Sequence, residues 1–477
     1  RPDDFAWKFS IPRKQSIPAI MGQRISVRVD ARKRPAKQLK STPAAVASFP
    51  AVWKNFGQSQ PRICTMPDRH PSCAHTALAP RYAAHFACTG AACEDTCCAG
   101  WAIPVDKPSF DACCQAEPAE LAERFKRVVR PIPNAPPNLH ARIELVAHSQ
   151  ACPFLEQGLC AIHRELGEDF LSNTCASFPR QTRQFAGQFE HVLALSCPEA
   201  ARMALLAPDA LDLIEAEIVV RAESVVTTSG KLLFSEQDAN EIRGFCFQLV
   251  RTGSLQLWQR LAIIGHFCHQ LDQLIQKQAY RDIARFLADF VDQIENGEML
   301  HKLTGATLNH GMQAQLFFKF WEGQAERKNS ATQADVQRAV AQGLGGNAGS
   351  GESPNQEDLI RHYLTGLKRM NRALEATPVL LENFLANEML RECFPFDSVN
   401  PYQHFLGLMA RFGLLRLMLA GVCNADTLPD ASMLIRTTQV FARLYPHPAF
   451  TGSATDALKY LGFDHPERFA ELLRTAE

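Results

Sequence analysis

Hydrophobic positions along the chain follow two different rhythms. From about residue 203 onward they recur with helical spacing. In 235–251, Ile242, Phe245, Cys246 and Leu249 fall at i, i+3, i+4 and i+7, and Ser235 with Asp238 resembles a capping box, which predicts a helix. Leu257, Leu261, Ile264, Cys268, Leu271 and Ile275 predict a second helix, and Ile283, Phe286, Leu287, Phe290, Val291 and Ile294 a third. Leu359, Tyr363, Leu367 and Met370 begin a further series, with helices expected over 379–392, 402–420 and 431–444. The stretch 343–355 (GLGGNAGSGESPN) reads as a flexible loop by composition. Val/Ile/Thr alternation is scarce, so few strands are expected.

Residues 80–200 break this rhythm. They are rich in Cys, Pro and Gly, and Pro131, Pro133, Pro136 and Pro137 interrupt any helix there. One helix is expected after Gly158, where Ile162, Leu166 and Phe170 share a face. The fold class that follows is mainly α: a loop-rich cysteine-cluster N-terminal domain packed with a C-terminal all-helical domain. The expected division is a basic, disordered or extraneous leader over 1–79, a cysteine-rich metal-binding domain over 80–202, and a helical domain over 203–477.

Charge sharpens the view of the leader. The formal net charge is zero, but residues 1–65 carry 13 Lys/Arg against 3 Asp/Glu, a net of +10, and residues 66–477 carry 37 against 47, a net of −10. The whole-chain balance therefore describes neither part. Residues 1–65 fit a nucleic-acid-binding arm, a transit-like peptide, or sequence upstream of a start at Met66. We favour a leader without function, whose deletion leaves activity intact. The acidic remainder suits a cationic partner better than nucleic acid. With 46% hydrophobic residues and 30 Phe the chain can bury a sizeable core, which excludes wholesale disorder. No run approaches the ~18–20 uninterrupted apolar residues of a membrane span, so no membrane partner is expected. No repeat suggests a solenoid.

Cysteines carry the candidate chemistry. Ten of the 16 lie between Cys88 and Cys197, with no secretory signal before them, so metal binding is favoured over a disulfide framework. The first block has Cys88, Cys93, Cys97 and Cys98; the second has Cys152, Cys160 and Cys175; Cys197 follows in Ser196-Cys197-Pro198-Glu199-Ala200. Thiolates are soft ligands for zinc, Cu(I) or iron–sulfur centres. Eight thiols exceed the four of one tetrahedral zinc, which leaves one cubane cluster with spares or two metal centres. Neither a zinc ribbon nor a Rossmann-type glycine fingerprint is found. Cys113 and Cys114 are read as incidental helix residues, and Cys246, Cys268, Cys393 and Cys423 as core. His163 is read as a helix-surface residue, and His266 and His269 as structural.

Together the run Cys88…Cys93-Glu-Asp-Thr-Cys97-Cys98-Ala-Gly-Trp101, then Cys152-Pro-Phe-Leu…Cys160-Ala-Ile…Cys175…Phe178-Pro179-Arg180, then Ser196-Cys197-Pro198-Glu199-Ala200, resembles the bacterial flagellin lysine-N-methylase family. Glu382-Asn383-Phe384-Leu385-Ala386-Asn387…Phe394-Pro395-Phe396 also looks like that family's C-terminal half, so the resemblance covers roughly 80–420. It implies a cytoplasmic enzyme that methylates lysine ε-amines of flagellin, with S-adenosylmethionine as donor and a 4Fe-4S cluster required. On that reading Glu94 and Asp95 are candidates for general base or cofactor contact, and Trp101 and Arg180 for cofactor binding, Arg180 being equally suited to a salt bridge. Cys98 is a conceivable methyl carrier. The competing readings are a non-catalytic zinc- or iron-binding interaction module and an electron-transfer protein.

Overall fold

The computed structural model describes residues 62–64 and 69–475, except 228–233, 324–329, 347–352, 398–399, 426–428 and 446. Residues 1–61 and the tip of the 343–355 loop, and with them most of the leader reading, lie outside the described residues.

The helical half follows the hydrophobic pattern closely. Ser235 caps the helix Glu236–Arg251, accepting from the Asp238 N–H at 3.0 Å. Helices Leu257–Gln276, Ile283–Glu295, Gln356–Leu374, Leu380–Arg391 and Ala431–Leu444 stand where the spacing places them. Helix Pro401–Cys423 runs through their middle. It is apolar on every side, with a mean hydropathy of 1.7 over its most apolar window, and by length and composition could cross a membrane. That window is wholly buried inside the protein. Apolar residues all round a helix are what a central core helix requires, because neighbours cover every face.

The N-terminal region is built on sheets, which corrects the expectation of a loop-rich domain. One six-stranded sheet has the order β1 (Arg62–Cys64), β2 (Ser72–Pro80), β9 (Gln188–Leu193), β8 (Arg180–Phe185) and β11 (Val225–Thr227), with β10 (Leu213–Arg221) also paired to β2. A smaller sheet joins β3 (Ile103–Val105), β4 (Val129–Pro131) and β5 (Ala141–Ile143), and β6 (Leu155–Glu156) with β7 (Leu159–Cys160) forms a hairpin. β2, assigned to the leader by the sequence reading, lies inside the main sheet, and β10 pairs with it antiparallel from Leu213↔Pro80 to Arg221↔Ser72. The main sheet therefore takes strands from both sides of residue 202.

β9 and the strands of the smaller sheet escape the alternation test for a physical reason. β9 is buried at all six positions, so it shows no polar face. β3, β4 and β5 have three residues each, too few for a period. The β8–β9 hairpin turns on Ala186 and Gly187, both at positive φ (45° and 74°), as a two-residue turn matched to strand twist requires.

Two asparagines tie the sheet region to the helices. Asn387 donates to the Leu193 carbonyl at 3.2 Å and accepts from the Tyr82 hydroxyl at 2.5 Å. Asn383 donates to the Ala204 and Ala207 carbonyls at 2.8 and 2.9 Å. Both side chains are fully buried, where an unpaired amide would be costly.

Candidate functional site

The cysteine block wraps a small core of its own. Ile103, Val105, Leu121, Phe125, Phe154 and Ile162 are buried together there, with Cys113 and Cys152 inside the cluster and Cys98, Cys160 and Cys175 at its edge. The Cys98 carbonyl accepts from the Cys152 N–H at 2.6 Å, which joins the first block to the second. The β6–β7 hairpin turns at Gln157 and Gly158, both at positive φ, and delivers Cys160 to the start of helix Ala161–Leu166. A Cβ on Gly158 would lie 3.1 Å from the Ala91 backbone, so the turn also needs glycine for the close pass of the first block. The helix expected beyond it breaks at Gly167 (φ 88°) and resumes as a 3-10 turn, Glu168–Phe170. Ser172 caps the short helix that carries Cys175.

Electrostatics divides the thiols into two linked groups. Burial pushes Cys152 and Cys175 up to about 12, and Cys98 opposes ionisation of both. Burial likewise raises Cys160, with Cys98 again adding. Cys98 itself is drawn down to about 7, first by a hydrogen bond from the Cys97 thiol and then, against burial, by Thr96 and the Arg443 guanidinium. Cys97 is raised by the same bond. Burial raises Cys197 and Cys93, and each is further opposed by Cys88. Cys97, Cys152, Cys160 and Cys175 thus feel Cys98, Cys93 and Cys197 feel Cys88, and Cys97 feels Cys88 as well, which links the two sets.

Among the described residues no three cysteine sulfurs come within 4.8 Å of one another. A tetrahedral zinc with bonds of ~2.3 Å would hold them about 3.8 Å apart. The group of three ligand-type side chains that does close to 4.8 Å is His70, Asp106 and Glu223, which the sequence reading missed. Cys113 donates to the Phe170 carbonyl at 3.4 Å, and Cys246 and Cys268 hydrogen-bond each other in the helical core.

The two candidate bases are both engaged. Asp95 is buried; its Oδ1 accepts from Ser330 Oγ at 3.2 Å, and its Oδ2 accepts from Gln439 Nε2 at 2.9 Å and pairs with Arg443 Nη1 at 2.8 Å. Arg443 also donates to the Thr96 carbonyl at 2.9 Å and to that of Ala99. Glu94 is largely exposed and pairs with Arg202 at 3.1 Å. Trp101 donates from Nε1 to the Cys97 carbonyl at 2.6 Å, and its ring lies 6.1 Å from that of Phe178.

Arg180 opens on a cavity of about 700 Å³ between the main sheet and the helices. The sheet contributes Arg180, Arg183 and Glu190; the end of helix Leu380–Arg391 and the loop after it contribute Arg391, Glu392 and Asp397; His404, Thr451 and Asp456 close the other side. Most of these charges are already matched. Glu190 makes a two-armed pair with Arg243, both buried. Against its partial burial, Glu392 is held well below the usual carboxylate range by Arg411 and Arg391, with His404 adding. Arg183 pairs with Asp397 at 2.8 Å. Arg180 and Asp456, both exposed at the mouth, form no ion pair among the described residues; the Arg180 guanidinium lies 5.1 Å from the centre of the Phe86 ring. Glu94, Asp95, Trp101 and the eight cysteines do not line this cavity. Its acidic residues are scattered from 190 to 456, and no local spacing signals them.

Comparison with known proteins now gives the family. A family model for the FliB lysine N-methylase C-terminal domain matches residues 243–472, beginning after the last cysteine of the block. Lysine-N-methylases of Salmonella choleraesuis (strain SC-B67) and Salmonella typhimurium (strain LT2) are 28% and 27% identical over 232 residues, which is 48% of this chain and 56% of each relative. The flagellar biosynthetic protein FliU of Salmonella muenchen is 34% identical over 142 residues, 29% of this chain and 83% of that protein. The chain belongs to this family of FliB-type lysine-N-methylases and flagellar biosynthetic proteins. It spans about half the length of the two lysine-N-methylases it matches. No solved structure matches it.

Proposed function

We propose that this chain is a protein-lysine N-methyltransferase of the cytoplasm. It moves a methyl group from S-adenosylmethionine to lysine ε-amines of flagellin, with a 4Fe-4S cluster on its cysteine block. Family membership supports the reaction class. The observation that carries the reading is the 700 Å³ cavity whose unmatched charges, Arg180 and Asp456, have opposite sign. Arg180 suits the carboxylate of the cofactor's methionine part, and Asp456 suits the sulfonium or the incoming ammonium.

A lysine ε-amine is protonated at neutral pH, with a usual pKa of ~10.4. The proton leaves to solvent at the mouth, and the freed lone pair bonds the methyl carbon. The carbon–sulfur bond breaks with its electron pair on sulfur, so the cofactor leaves as a neutral thioether. The chain's task is alignment and partial exclusion of water.

Cys97, Cys98, Cys152, Cys160 and Cys175 fit a soft multinuclear metal group better than one zinc ion, since their spacing is wider than a single ion sets. Buried thiols resist ionisation, and a bound cation reverses that. When bound, the cluster supplies a cross-link among loops with little regular structure. On this reading Asp95 and Arg443 hold the first cysteine block in place, and Glu94 and Trp101 support it from the surface.

The test is to purify the chain anaerobically, incubate it with flagellin and S-adenosylmethionine, and read lysine mass shifts. Methylated lysines are expected, and Arg180→Ala should raise the KM for the cofactor by roughly 10–100-fold, the value of a charged hydrogen bond. An iron-loaded protein that leaves flagellin unmodified would overturn the proposal.

A further inference from the structure

A second site lies apart from the cavity, where three segments meet. His70 stands just before β2. Asp106 caps helix Lys107–Cys114, and Glu223 sits in the 3-10 turn between β10 and β11. One donor atom from each lies within 4.8 Å of the other two. The side chains of His70 and Asp106 are 1% and 3% exposed, while Glu223 is 45% exposed and opens the group to solvent.

The hydrogen bonds limit where the histidine's protons can sit. When Ser109 Oγ gives its proton to the Leu171 carbonyl at 3.1 Å, it accepts in its 2.9 Å contact with His70 Nε2. The Nε2 proton is then used there, and a neutral imidazole carries its lone pair on Nδ1. Nδ1 has no hydrogen-bond partner among the described residues, and it faces Glu223 Oε2 at 3.6 Å. A lone pair facing a carboxylate is repulsive unless something positive lies between them. No Lys or Arg among the described residues pairs with Asp106 or Glu223. Arg221, the nearby guanidinium, donates instead to the Leu171 and Glu168 carbonyls and to Asn173 Oδ1.

We propose that His70 Nδ1, Asp106 and Glu223 bind a divalent first-row metal cation through donors other than the cysteine thiols. One imidazole and two carboxylates form a donor set suited to such ions. The outer contacts fit as well. Ser109 holds the non-ligating histidine nitrogen, the Asn173 N–H bonds Asp106 Oδ2 at 2.8 Å, and the Asn173 amide bonds Glu223 Oε2 at 2.6 Å. The rival occupant of the gap is a proton on Nδ1.

Mn2+ separates the two, because it favours imidazole and carboxylate over thiolate and so avoids the cysteines. Electron paramagnetic resonance of free Mn2+, followed during titration of the metal-stripped full chain, counts what the protein binds. One Mn2+ per chain is expected. Glu223→Gln should weaken it by more than the roughly 10–100-fold of an outer-shell change. Glutamine still accepts from Asn173, so the fold is kept, and unchanged circular dichroism checks this. No uptake at millimolar Mn2+, or equal uptake by Glu223→Gln, assigns the gap to a proton and overturns the proposal. Neither result depends on methyl transfer or on iron content.

Discussion

Asp95 allows the sharpest test, because a base and a brace predict opposite results for Asp95→Asn. The side chains of Asp95 and Arg443 are 3% and 8% exposed and meet at 2.8 Å. Asparagine keeps one oxygen, but its amide then faces either the Ser330 hydroxyl or the donors of Gln439 and Arg443. Leaving a buried charge without its partner costs about 3–5 kcal/mol. With an unfolding entropy of about 2.1 cal/mol/K per residue, 477 residues give about 1 kcal/mol per degree, so the melting temperature should fall by about 3–5 °C. Arg443→Gln should cost a similar amount, and the double variant much less than the sum, because both remove one interaction. Thermal melts and iron content of the anaerobic protein are the assays, and iron should fall along with the melting temperature. If Asp95→Asn abolishes methylation while melting temperature and iron stay at wild-type values, Asp95 acts in the reaction and the bracing role is wrong.

Three further outcomes follow. Cys175→Ser should lower bound iron while Cys246→Ser, in the helical core, leaves it unchanged; equal iron in both would remove the distinction between the two cysteine sets. Gly343→Val should destabilise by about 1–3 kcal/mol or more, since a Cβ there would lie 1.8 Å from the Gly421 carbonyl oxygen; Gly253→Ala, with nothing within 4 Å, is the control in the same melt. Burial, with the Arg180 guanidinium adding, draws His191 down to about 4, against an ordinary value near 6.5. Below about 6.5 the unfolded chain takes up the proton first, so stability present above 6.5 is lost towards pH 4, by about 3 kcal/mol. His191→Gln should flatten that part of the melting-temperature profile, and an unchanged slope would refute the assignment.

Much of the helical half was legible because one helix face repeats every 3.6 residues whatever lies beyond it. Ser235 capping and the stripe from Leu257 to Ile275 needed no tertiary information. β10 was also legible and was passed over: Ile214, Ala216, Ile218 and Val220 alternate with Glu215 and Glu217, and burial follows the same alternation over 214–219. β9 was not legible, since a strand covered on both faces loses its period. The cysteine block could be read as a set from residue type and spacing. Its division into two groups could not, because Cys98 meets Cys152, Cys160 and Cys175 only through the pairing of segments more than 50 residues apart.

The sequence by itself determined the helical periodicity, the concentration of thiols before residue 200 and the family they resemble. These are local or compositional properties, set by residue type and short-range spacing. Only the tertiary structure decided which charges are spent. Asp95, attractive as a base from its place among the cysteines, is consumed by Arg443, 348 residues away. Arg180 is left facing a cavity completed by Asp456, and His70 is left with an unbonded Nδ1 facing Glu223. Ionic and hydrogen-bond partners are chosen by proximity after packing, and sequence separation does not constrain that choice.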